Sequence, residues 1–81
     1  MKLNETVEMM NSVNYKERFK AEYLQLKIRM EWLSIMLKKY EAETLDFTPS
    51  CPIEILREQL INMSVYKNSL IERAEIEDIN L

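Results

Sequence analysis

The chain has 81 residues, 47% of them hydrophobic and 31% charged, with 11 Lys and Arg against 14 Asp and Glu for a formal net charge of -3; this is the balance of one small folded domain. With no Gly and no His, it offers no Gly-rich phosphate loop, no zinc site and no His-based catalysis. Its single Cys excludes a disulfide scaffold and fits a reducing compartment.

In chain order, residues 1–13 form a polar lead-in, read as a short helix or as disordered chain. Their first dozen residues lack the apolar centre of a signal peptide, and no later run is long and apolar enough to span a membrane. A cytoplasmic protein without membrane contact is expected.

Residues 14–81 read as a helical hairpin domain. Asn14 suits an N-cap, with Glu17 placed to complete a capping box. Phe19, Tyr23, Leu26, Met30, Leu33, Leu37 and Tyr40 then step by 4, 3, 4, 3, 4 and 3, a heptad seam that predicts one long helix over about 14–43. Pro49 and Pro52 bound a hinge over residues 44–50, whose Leu45 and Phe47 are expected to plug the end of the helix pair. Pro52 at the first helical position and Glu54 in the first turn open a second helix over about 52–77. Leu56, Leu60, Met63, Leu70 and Ala74 mark its inner face, and Lys67 interrupts that stripe. The fold class is all-α: an antiparallel helical hairpin assembling as a homo-oligomer.

Assembly is inferred from a second apolar stripe. Leu24, Ile28 and Ile35 sit nearly opposite Leu26 and Leu33, flanked by Trp32 and Met36, and a hairpin covers only one face of its long arm. The lead-in could fold back over this stripe through Leu3, Val7 and Met10. The preferred reading is a subunit interface, because a chain this short has a marginal core and an apolar patch of this kind marks a partner surface.

Charge is split along the chain, +3 over residues 1–39 and -6 over residues 40–81. Duplex DNA or RNA is an improbable partner for such a chain, since phosphate neutralisation supplies most of that affinity. A small anion is better matched. Tyr15, Lys16, Arg18 and Phe19 put rings beside cations at a helix start, and Arg73 reaches the same open end if the arms are antiparallel. Cys51 reads as a small residue at a helix entry, and the acidic run Glu72, Glu75, Glu77 and Asp78 as a solvated terminal face. No metal, cofactor or catalytic set is recognised, and an enzyme is not expected.

The pattern Tyr15-Lys16-x-Arg18-Phe19, with Glu22, Leu26-Lys27, Leu33 and Leu37 and then Gln59-x3-Met63-x2-Tyr66-x3-Leu70-x2-Arg73, resembles the phage anti-CBASS and anti-Thoeris nucleotide sponges. The hinge Leu45-Asp46-Phe47-Thr48-Pro49-Ser50-Cys51-Pro52 is similar to that of a branch of small crAss-like and Firmicute phage proteins. The resemblance implies a homo-oligomer, often a hexamer, of helical hairpins in the host bacterial cytoplasm. It would sequester a cyclic oligonucleotide or cyclic ADP-ribose-type messenger without cleaving it. The competing reading is a small oligomeric adaptor that binds a protein through the apolar stripe of the first long helix.

Overall fold

The computed structural model describes residues 1–81. A 3₁₀ turn at Leu3–Thr6 runs into a single helical turn, α1, at Val7–Met10; α2 spans Tyr15–Glu41 and α3 spans Ile53–Ile76. There are no strands. Helices α2 and α3 pack as a hairpin, and the molecule measures 43 × 24 × 17 Å.

Helix α2 starts where the cap predicts, because the Asn14 side-chain oxygen accepts from the Lys16 backbone N–H at 2.9 Å. The other half of the expected capping box is absent. The Asn14 N–H donates instead to the Ser12 hydroxyl at 3.1 Å, so Glu17 is not needed there. Helix α3 begins at Ile53, one residue later than expected. Pro52 lies outside it as the cap, and its carbonyl accepts from the Ile55 and Leu56 N–H groups.

Both long helices end in Schellman turns without glycine. Thr44 N–H returns to the Lys39 carbonyl and Glu43 N–H to that of Tyr40, with Glu43 at φ 59°. Ile79 N–H likewise reaches the Ala74 carbonyl, with Asp78 at φ 55°. A residue with a Cβ in this left-handed region costs about 1–2 kcal/mol, offset by the helix-end carbonyls that the turn satisfies. At the second turn the following side chain also packs: Ile79 joins Phe19, Leu26, Leu70 and Ala74 in the buried cluster.

That cluster lies at the open end of the hairpin. Toward the hinge the seam loosens, with Leu33, Leu56 and Leu60 half-buried and Tyr40 exposed. Leu45 is half-buried but Phe47 is exposed, so the expected two-residue plug is corrected: Phe47 does not close the end.

The outer stripe of α2 is divided. Ala21, Gln25 and Ile28 share one face of the helix, and on it the lead-in folds back. Thr6, fully buried, donates to the Leu3 carbonyl at 2.6 Å and accepts from the Gln25 amide at 2.9 Å. Gln25 also donates to the Met10 sulfur. Ile28, expected at a subunit interface, is only 5% exposed within the single chain and leaves little surface for a partner; Leu24 is half-buried. The lead-in docks through Thr6, whereas Val7 and Met10 stay largely exposed. One turn and more beyond, Trp32 and Ile35 remain 55% and 52% exposed, with Met36 half-buried beside them. The cover is too short to reach them.

Candidate functional site

Antiparallel packing brings the first turn of α2 against the last turn of α3. The Asn14 cap fixes Tyr15 as the first residue of α2, and the last turn of α3 sets Glu77 four residues beyond Arg73 on the same side. Three side chains close on one another there. Arg73 Nη2 donates to the Tyr15 hydroxyl at 2.6 Å, the hydroxyl donates to Glu77 Oε1 at 3.0 Å, and Arg73 Nε donates to Glu77 Oε2 at 3.1 Å. The Arg73 guanidinium carbon also lies 4.8 Å from the centre of the Phe19 ring, a cation–π distance. The Tyr15 and Phe19 rings are 6.2 Å apart and tilted by 58°.

Lys16 stands beside this triangle and donates from Nζ to the Asp78 carbonyl at 3.2 Å. A cation at a helix C-terminus is favourable because unpaired carbonyls make that end negative. Arg18 turns away, donating from Nη1 to the Ser12 carbonyl at 2.8 Å. The sequence-predicted set therefore separates. Tyr15, Lys16, Phe19 and Arg73 meet at the mouth of the hairpin, and Arg18 braces the link to α1.

Access separates them further. Phe19 is 3% exposed, so it supplies the floor under Arg73 and presents no face for stacking. Tyr15 is exposed, and its ring is the flat surface available at the mouth. Its phenol is held above the ordinary tyrosine range, first because the hydroxyl donates to the Glu77 carboxylate and then through burial, with Arg73 pulling the other way. The residue missed in sequence is Glu77, read there as part of a solvated acidic run. Its four-residue spacing from Arg73 was the available clue. Within the chain the Arg73 donors are already engaged, Nε by the Glu77 carboxylate and Nη2 by the Tyr15 hydroxyl.

The Sequestin family model matches residues 13–76, a stretch that contains both long helices, the hinge, Tyr15 and Arg73. The chain belongs to the Sequestin family. No curated protein and no solved structure gives a match. Membership points to a role in binding and sequestering a signalling molecule. The matched stretch ends at Ile76, so the carboxylate of Glu77 and the turn at Asp78 lie just outside it. At the other end residues 1–12, among them the Thr6 that bonds to Gln25, lie outside it.

Proposed function

We propose that this Sequestin is a phage anti-defence protein that binds a bacterial immune-signalling nucleotide, of the cyclic oligonucleotide or cyclic ADP-ribose type, and withholds it intact in the host cytoplasm. The observation that carries the reading is the meeting of Tyr15 and Arg73 at the hairpin mouth, 2.6 Å apart though 58 residues separate them in sequence. A nucleotide has a flat base and anionic phosphates. Tyr15 offers the ring and Arg73 the two-pronged donor, with Lys16 as a second cation nearby.

The mouth is shallow, and one hairpin has little with which to enclose a ligand. Self-association through Trp32, Ile35 and Met36, with Leu24 at the margin, would let several chains share the enclosure; a hexamer is one such state. Ile61 and Val65, exposed on α3, extend the apolar surface available to it. The same surface supports the adaptor reading, in which Trp32 and Ile35 dock on a different protein.

Isothermal titration against cyclic dinucleotides, cyclic trinucleotides and cyclic ADP-ribose isomers tests the proposal. The wild type is expected to bind at least one, and Arg73→Ala and Tyr15→Ala to bind it at least tenfold more weakly. Chromatography after heat release should return the ligand unchanged. A wild type that binds none refutes sequestration of these messengers. Equal binding by both variants refutes the mouth as the site.

A further inference from the structure

Lys67 breaks the apolar inner stripe of α3, and the seam opens where it stands. The result is a groove of about 520 Å³ along one side of the hairpin, walled by Met30, Leu60 and Ile35, the last shared with the exposed stripe of α2, and edged by Lys27, Ser34, Lys38 and Lys67. That volume lies within the range of small-molecule sites. Lys27, Ser34 and Lys38 fall on one face of α2, at successive spacings of seven and four residues, so the two lysines sit about 16 Å apart along the helix at 1.5 Å per residue. Lys67 faces them from α3 and is half-buried.

None of these cations is in an ion pair within the chain. The two ion pairs are Arg57–Glu41 and Arg73–Glu77, and none of the three ammonium groups or the Ser34 hydroxyl makes a hydrogen bond. Glu31 is the one acidic residue at the groove, which leaves a local excess of positive charge on a chain whose net charge is -3. The groove at the hinge end is different in kind: Glu41 and Glu43 line it, and its one cation, Arg57, is already paired. Stability alone does not account for Lys67, because a leucine or methionine there would continue the stripe and need no solvation of a charge.

We propose that this groove is a second anion site, distinct from the hairpin mouth, that takes a small molecule carrying two or more phosphate groups. Lys67 is its anchor, Lys27 and Lys38 hold the outer phosphates, and the Ser34 hydroxyl donates between them. Met30 and Leu60 receive an apolar or aromatic body attached to the phosphates. Tyr15 in the first turn of α2 is about 18 Å away along the helix, counted over the twelve residues to Lys27, so the two sites are separable by substitution.

The test is a titration of the isotopically labelled full chain with inorganic pyrophosphate, and separately with ADP, followed through backbone amide shifts. Shifts are expected to cluster at residues 27–38 and 60–67. Lys67→Met should weaken both ligands at least tenfold while melting no lower than the wild type, and Lys38→Gln, on an exposed side chain, should weaken them severalfold. Lys2→Gln, at an exposed cation outside both sites, should bind both as the wild type does. The proposal is overturned by a wild type that binds neither at millimolar concentration, by shifts confined to the mouth, by equal weakening in Lys2→Gln, or by equal affinity for sulfate and pyrophosphate. A markedly destabilised Lys67→Met would also overturn it, because Lys67 would then be a structural residue.

Discussion

Leu70→Ala is the substitution that most directly examines where this small fold keeps its stability. Leu70 is 1% exposed and lies in the cluster with Phe19, Leu26, Ala74 and Ile79. The change removes three carbons, worth about 2.4 kcal/mol at about 0.8 kcal/mol each, and leaves a cavity whose lining relaxes only in part. Measured losses for buried Leu→Ala changes run from about 2.7 to 5.0 kcal/mol, so about 3–4 kcal/mol is expected. A chain of 81 residues has roughly 4–12 kcal/mol in total at 0.05–0.15 kcal/mol per residue. The variant should therefore melt at least about 12 °C lower, at about 4–8 °C per kcal/mol for a domain of this size. Urea unfolding followed by circular dichroism at fixed protein concentration gives the free energy. Ile61→Ala is the control: Ile61 is 63% exposed, and its loss should cost no more than about 0.5 kcal/mol. A Leu70→Ala cost below about 1.5 kcal/mol, less than transfer alone requires, would refute this placement of the core. An Ile61→Ala cost of similar size would move the stability onto a face between subunits.

The exposed stripe of α2 gives a second expectation: Ile35→Asp should fold as a single chain, since Ile35 is already half exposed, but should lose self-association through an unpaired buried carboxylate. Light scattering reads the outcome, and a wild type that is monomeric at micromolar concentration refutes the interface. The mouth gives a third. Tyr15 is raised first because its hydroxyl donates to Glu77, so absorbance titration should show a tyrosine ionising above the ordinary phenol value, and Glu77→Gln, which removes that leading cause, should lower it. The sign for stability follows: a folded-state value above the unfolded one gives stabilisation present below the unfolded pKa, about 10, and lost as pH rises through the higher folded value. A Tyr15 that titrates with the other tyrosines, before and after Glu77→Gln, would exclude the triangle in solution.

Much of this was legible in sequence. The seven-residue seam from Phe19 to Leu37 and the prolines around the hinge define the hairpin, because periodicity and missing N–H groups act locally. Tyr15 and Arg73 could be paired from antiparallel packing alone. What sequence concealed depends on tertiary register. Thr6 and Gln25 are polar, so a hydrophobic pattern places the docking of the lead-in at Leu3, Val7 and Met10, whereas a hydrogen-bonded pair fixes it at Thr6. Ile28 was assigned to the outer face for the same reason. Phe19 was read both as the first residue of the seam and as a ring of the ligand cluster, and its burial in the core fits the first of these. Glu77 was hidden among acidic neighbours, and its four-residue spacing from Arg73 was the one sign of which carboxylate meets the guanidinium.

That turn ties two processes to one small segment. The Ile79 amide is bonded to Ala74 while its side chain sits among Phe19 and Leu70, and two residues earlier Glu77 holds Arg73 and Tyr15. Local opening here therefore unseats the core and releases the guanidinium together, as one cooperative unit. An anion that displaces Glu77 works against the anchorage of the same turn that seals the helices. Occupancy of the mouth and the lifetime of the closed hairpin then share a coordinate, and exchange of the single amide proton of Ile79 reports on both.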